Sequence, residues 1–232
     1  MVISNEARDR VKKLGEPLAL ALGRLGLTPT GLTLVGFGIT AIGAILLAGQ
    51  LWLAGGIVVF AGGVFDMFDG TLARATGRVS RFGAFMDSVF DRWGEALVYV
   101  GLIAGLHAGG WANGPTFAGA AMAGAFLVSY VRAKAEGLGF SPGTGMAAVG
   151  IMPREVRLVI LCGGLVLGSL LGVDQGVPGS GFGNGGAAAV PAGILVIEGA
   201  LAIIALGAAL TIVQRVVHVR AQASREVSER PS

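Results

Sequence analysis

The sequence predicts an all-α integral membrane protein: six transmembrane helices preceded by an N-terminal interfacial amphipathic helix. Composition is the first reason, since 53% of residues are hydrophobic and 13% charged, with a mean hydropathy of +0.75, whereas soluble domains carry about 25% charged residues. Length is the second: 232 residues hold six spans of ~20 residues each and short loops, leaving no room for a sizeable soluble domain. The third is that all 17 Lys and Arg fall on one side of those spans.

Residues 1–27 mix charge with Leu and Ala, and their apolar stretch is too short to span and is broken by Arg24. This reads as a cytoplasmic helix lying in the interface; no small-residue cleavage site follows to make it a signal peptide. Spans are expected at 31–50, 53–76, 82–107, 115–136, 154–172 and 190–215, within one membrane domain over 28–218, followed by a polar tail at 219–232. The connector 173–190 is a Gly-rich loop. Its Gly181-x-Gly183-x-x-Gly186 has the spacing of a dinucleotide fingerprint, but no strand precedes it, so it is set aside. A lone Cys162 in an apolar run excludes a disulfide framework, and His107 and His218 stand too far apart in sequence to suggest a histidine metal site.

With the N-terminus inside, Lys and Arg number 5 before span 1, 4 from Arg74 to Arg92, 4 from Arg132 to Arg157 and 4 from Arg215 onward, which leaves the three opposite loops with none. That is a positive-inside pattern. It predicts a multi-pass protein of the cell membrane with both termini, and the 65–93 stretch, facing the cytoplasm.

That stretch holds the chemistry. Asp66 and Asp69 are i, i+3 on span 2 near its inner end, and Asp87 and Asp91 are i, i+4 near the start of span 3. A short connection lets the two faces meet. Helix caps or solvated loop charges would suit Asp87 alone, but not two in-phase pairs flanked by Gly63, Val64, Phe65 and by Phe82, Phe85, Val89; charges within a membrane mark function. Four converging carboxylates need cations, and an oxygen-only donor set favours Mg²⁺, Mn²⁺ or Ca²⁺ over zinc. Gly70, Ala73 and Gly83 leave space for a bulky ligand, and Arg74 offers planar donors for phosphate oxygens. Carboxylates, metal, arginine and small residues together describe a diphosphate site.

The pattern Asp66-x-x-Asp69-Gly70-x-x-Ala73-Arg74, eight residues, Gly83-x-x-x-Asp87-x-x-x-Asp91 resembles the signature of the CDP-alcohol phosphatidyltransferases at all eight fixed positions over 26 residues. The six-span layout resembles that family over nearly the whole chain. The resemblance implies transfer of a phosphatidyl-type group from a CDP-linked lipid, such as CDP-diacylglycerol or an archaeal equivalent, to an alcohol, with release of CMP. It implies two Mg²⁺ or Mn²⁺ ions held by Asp66, Asp69 and Asp87 with Asp91 assisting, and Asp91 as general base. It places Gly70, Ala73, Arg74 and Gly83 in the CDP-lipid site. The segment "LTPTGLTLVG" (27–36) resembles the start of the family's first span and adds Thr33 to that site; Pro29-Thr30 stands where a Pro-Asn pair is usual. Direct displacement is expected, without a phosphoryl-enzyme intermediate.

Arg132, Lys134, Arg154, Arg157 and Arg215 lie at helix ends on the same face as the aspartates. Contact with anionic head groups accounts for some of them; a cationic pocket beside the metals favours an acceptor with its own phosphate. These segments resemble the phosphatidylinositol-phosphate synthases of bacteria and their archaeal counterparts. That implies inositol phosphate as acceptor, held by Lys134, Arg154 and Arg215, with Arg132 nearby; glycerol 3-phosphate, which asks for the same donors, is the alternative. A cation-coupled transporter is the reading of another class, opposed by acids at one membrane face and no internal repeat. Glu95, one turn beyond Asp91, is a reserve base or a buried hydrogen-bonding partner, and Glu198 has no role from sequence. Small-residue seams at Gly101-x-x-x-Gly105 and at Gly119 with Ala123 serve either packing within the bundle or a homodimer; the family resemblance implies a homodimer.

Overall fold

The computed structural model describes residues 26–140, 145, 146, 149–172 and 190–228, together with 17, 20, 21, 23 and 24. Among them are six helices and no strand: α1 (Pro29–Ala48), α2 (Trp52–Ala75), α3 (Arg81–Ala108), α4 (Gly114–Gly137), α5 (Arg154–Leu170) and α6 (Ala192–Ser228). Each packs chiefly on two others, closing a ring in the order α1–α2–α5–α6–α4–α3. The two aspartate helices, α2 and α3, are therefore not neighbours. Both flank α1 and face each other across the interior of the ring.

Local sequence explains the joints. Thr28 caps α1 by accepting from the Gly31 amide at 3.1 Å, with Pro29 at the first helical position. α2 ends where Gly77 takes a left-handed conformation (φ +65°) and the Arg78 amide bonds the Ala73 carbonyl at 2.9 Å. Three residues later Ser80 caps α3, its hydroxyl accepting from the Gly83 amide at 2.9 Å. The turn is tight, so the C-terminal end of α2 and the start of α3 stay together.

α1, α2, α4 and α6 are long and apolar enough to cross a membrane. α5 has 17 residues, and α3 carries Arg81, Asp87, Asp91, Arg92 and Glu95 among its 28. α6 runs 37 residues to Ser228, well beyond the end expected at 215, because hydropathy marks where the apolar stretch stops and not where helical hydrogen bonding does. Of the expected interfacial helix, residues 1–16 lie outside the described residues, while 20, 21, 23 and 24 are helical and Gly23 sits against Leu72 of α2. Residues 173–189, most of the Gly-rich connector, also lie outside them.

The ring is divided along its axis. At one end Leu47, Trp52, Leu102, Leu106, Leu165 and Ile194 form a sealed apolar core. From Trp52 to Asp69 along α2 is ~25 Å at 1.5 Å per residue, and at that other end the interior is polar. Large apolar side chains point outward along every helix, with Ile45, Leu170 and Leu206 each more than 70% exposed, a surface that lipid covers.

Candidate metal and active site

Glycines set the site's dimensions. α1 and α2 approach so closely that a Cβ on Gly62 would stand 3.1 Å from the Thr40 nitrogen and one on Gly36 3.5 Å from the Asp66 nitrogen. This contact lets the Thr33 hydroxyl of α1 reach Asp69 Oδ2 of α2 at 2.6 Å, in a buried setting. Asp69 Oδ1 accepts from the Gly70 amide. Both oxygens of Asp69 are thus oriented by the protein.

Asp66, Asp69 and Asp87 each bring one carboxylate oxygen to within 4.8 Å of the others. At that separation each pair of charges repels by about 3 kcal/mol for an effective dielectric near 20. One guanidinium answers part of this: Arg154 Nη1, from α5, donates to Asp66 Oδ2 at 2.8 Å and also contacts Asp91 Oδ1. Asp87 has no hydrogen-bond or ion-pair partner among the described residues. The donor set is all oxygen, the charge is in excess, and one carboxylate is open; these residues fit a hard divalent cation. Asp91 stands outside the triad, between Arg154 and Arg92, the latter at 3.7 Å.

Arg74 folds back one turn, as helical side chains do, and lies over Gly70, where a Cβ would stand 3.4 Å from Nη1. Gly83 is held by the Ser80 cap, and a Cβ there would come 3.0 Å from that hydroxyl. Gly70 and Arg74 are therefore joined beside Asp69, with Ala73 on the same turn of α2.

The acceptor candidates separate. Arg154 is in the aspartate cluster. Arg215, only 3% exposed, donates Nε to the Val149 carbonyl at 2.9 Å and Nη1 to the Val128 carbonyl. Lys134 is exposed at the end of α4, and Arg132 pairs with Glu136 at 3.0 Å on the surface. Neither meets the aspartates among the described residues.

Sequence reasoning missed one partner. Arg157 donates Nε and Nη2 to the two oxygens of Glu95 at 2.9 and 3.0 Å, and Nη1 to the Met152 carbonyl at 3.0 Å. The available signal was slight: Glu95 continues the i, i+4 spacing of Asp87 and Asp91, and Arg157 lies one turn beyond Arg154 at the start of α5. A cavity of about 40 Å³ lies behind Arg154, lined by Thr40, Gly63, Glu95, Tyr99 and Arg157 among others; it has room for a few waters and is too small for a substrate. Glu198 of α6 lies near the backbone N–H of Gly114, the first residue of α4, which no side chain of its own caps.

A helical bundle with an apolar plug at one end and a carboxylate cluster at the other is the architecture of an intramembrane metal enzyme. The chain belongs to the CDP-alcohol phosphatidyltransferase family, which it matches over residues 26–219. Among its relatives, the archaetidylinositol phosphate synthase of Pyrococcus horikoshii is 37% identical over 68% of this chain and 79% of its own. The phosphatidylinositol phosphate synthase of Cutibacterium acnes is 34% identical over 90% of this chain and 93% of its own. The fold is similar to that of the Mycobacterium tuberculosis phosphatidylinositol phosphate synthase with CDP-DAG bound. There the TM-score is 0.72 at 26% identity, over 89% of this chain and 94% of that one. The same enzyme in complex with manganese and citrate gives a TM-score of 0.70. The all-oxygen donor set of Asp66, Asp69 and Asp87 suits a divalent cation such as Mg²⁺ or Mn²⁺.

Proposed function

We propose that the protein transfers a phosphatidyl-type group from a CDP-linked lipid to inositol phosphate and releases CMP. The observation that carries this reading is Arg154 lodged between Asp66 and Asp91 at the edge of the triad. An acceptor bearing its own phosphate finds a guanidinium there, beside the carboxylate that takes its proton. The names of the relatives support the same acceptor.

In this reading Asp66, Asp69 and Asp87 hold the ion, with Asp91 near enough to assist, and Gly70, Ala73, Arg74, Gly83 and Thr33 receive the CDP-lipid. A bound divalent ion neutralises charge on the diphosphate oxygens. The acceptor oxygen forms a bond to the lipid-bearing phosphorus as the bond from that phosphorus to the bridging oxygen breaks. The acceptor's proton passes to Asp91, and CMP leaves. Arg74 binds phosphate oxygens from the Gly70 side, Arg154 orients the acceptor phosphate, and Lys134 with Arg132 extends the cationic wall. No side chain forms a covalent intermediate.

We place all six helices across the cell membrane, residues 1–27 in the interface, and the site and both termini on the cytoplasmic side, which the distribution of Lys and Arg supports. A homodimer through the outward seam of Gly119 and Ala123 is part of the same proposal; no atom lies within 4 Å of a Cβ on Gly119. A monomeric mass in mild detergent would count against it. The decisive assay is CMP release from CDP-diacylglycerol with inositol phosphate and glycerol 3-phosphate in parallel. Faster release with glycerol 3-phosphate would replace the acceptor and leave the family untouched.

A further inference from the structure

Two ion pairs join α3 to α5 across the interior of the ring, although these helices are not neighbours in it. Asp91 and Glu95 are i, i+4 on α3; Arg154 and Arg157 are i, i+3 on α5. The outer rung, Arg154 with Asp91, opens onto the site: the Arg154 side chain is 33% exposed, and one of its nitrogens serves two carboxylates. The inner rung is closed. Arg157 is 2% exposed, and its Nε, Nη1 and Nη2 are all engaged, two of them in a fork on Glu95.

The segment entering α5 is held from a second side. Thr211 Oγ1 of α6 accepts from the Met152 amide at 3.0 Å, while Arg157 takes the Met152 carbonyl. Gly150 sits at φ +112°, with space for no side chain: a Cβ would stand 2.2 Å from Thr211 Cγ2. Arg154 follows two residues after this clamp. Among the described residues its guanidinium is held only by the Asp66 and Asp91 carboxylates of the site, so how it meets them depends on where α5 begins and how that helix is rotated.

We propose that Glu95 and Arg157 are a positioning pair, which touches no substrate and sets the distance and rotation at which Arg154 meets Asp66 and Asp91. A buried ion pair adds little net stability over apolar residues of the same shape. A two-pronged guanidinium–carboxylate fork does fix an angle and a separation, which a lone lysine does not. Glu95, with both oxygens taken by Arg157, is thereby removed as a reserve base. The proposal rests on the reading of Arg154 as acceptor ligand for its kinetic consequence, and on geometry alone for its effect on metal.

The test uses the full chain in detergent, with Arg157→Lys, Glu95→Gln and Arg154→Ala singly and Arg157→Lys combined with Arg154→Ala. Binding of Mn²⁺ is followed by the resonance of the free ion, with no lipid present. Arg154 competes with the ion for Asp66, so Arg157→Lys, by releasing Arg154, tightens Mn²⁺ binding about threefold or more, in the same direction as Arg154→Ala. In the double variant the two effects do not add, because they share one route. Kinetically, Arg157→Lys raises the acceptor KM about tenfold with the CDP-lipid KM within about twofold, and has little further effect once Arg154 is Ala. If wild type ignores inositol phosphate, the acceptor reading fails while the Mn²⁺ measurement still decides this one. Weaker Mn²⁺ binding in Arg157→Lys, or full additivity, overturns the proposal. Glu95→Gln, which keeps shape, replaces Arg157→Lys if that variant does not fold; loss of folding in both makes the pair a folding element and overturns it as well.

Discussion

Thr33 on α1 donates its hydroxyl to Asp69 Oδ2 on α2 at 2.6 Å, and both residues are buried. The hydroxyl has one proton. Its second contact, with the Pro29 carbonyl at 3.2 Å, is therefore the weaker one, and the proton belongs to the carboxylate. Asp69 Oδ1 is fixed independently by the Gly70 amide, so this carboxylate is oriented before any ligand arrives.

Thr33→Val keeps the shape and leaves Asp69 Oδ2 without its donor, a change worth about 1–3 kcal/mol at a buried site. The Mg²⁺ concentration for half-maximal activity is expected to rise about tenfold, with Thr33→Ser close to wild type. A metal titration at saturating substrates checks this. A raised CDP-lipid KM with an unchanged metal requirement would instead make Thr33 a ligand of the lipid donor.

Asp87 is the cleanest member of the triad to remove, since Asp87→Asn breaks no ion pair or hydrogen bond among the described residues. Without metal the variant should unfold no earlier than wild type, and later if relief of repulsion dominates. Saturating Mn²⁺ should stabilise wild type, by about 2.7 kcal/mol at a hundred times Kd, and leave the variant where it was. Thermal unfolding with and without Mn²⁺ reads both. Activity should be lost in Asp66→Asn, Asp69→Asn and Asp87→Asn alike.

The glycine seam of α3 is used inside the bundle. A Cβ on Gly101 would stand 2.2 Å from the Ala44 carbonyl oxygen, and one on Gly105 2.2 Å from that of Leu47. Backbone cannot step aside as a side chain can, so Gly101→Ala should cost about 1–3 kcal/mol and lower Tm. Gly119→Ala, which meets open space within the protomer, should leave the Tm of the monomer unchanged or raised and weaken the dimer proposed to pack there.

How much of this was readable beforehand follows from what each feature depends on. Span 2, expected at 53–76, is α2 at Trp52–Ala75, because hydropathy and a left-handed glycine after it are local facts. The in-phase aspartates were legible for the same reason, helical spacing. The pairings that orient them were not: Thr33 with Asp69 lies 36 positions apart and Glu95 with Arg157 62, and no local pattern encodes the ring order that brings them together. Arg157 was hidden in particular by the positive-inside rule, which supplies a sufficient reason for any arginine at a cytoplasmic helix end and so conceals one that is buried and committed.

Arg215 and Lys134 offer the sharpest contrast, since both were expected to bind the acceptor phosphate and the structure sets them in different surroundings. Arg215→Ala strips a donor from the Val149 and Val128 carbonyls, and unsatisfied buried groups cost about 1–3 kcal/mol each. Its Tm should fall, and the entry to α5 should loosen with it. Lys134→Ala removes an exposed ammonium and should leave Tm unchanged. If Lys134 binds the acceptor, its KM rises several-fold with the CDP-lipid KM constant; if it faces only lipid head groups, neither KM moves. Arg154→Ala must show the largest acceptor KM increase of the three, about ten- to a hundredfold for a charge-assisted hydrogen bond of ~1.5–3 kcal/mol. Parallel measurement of Tm and both KM values separates ligand from clamp. An Arg215→Ala variant with wild-type Tm and a raised acceptor KM would return Arg215 to the phosphate site.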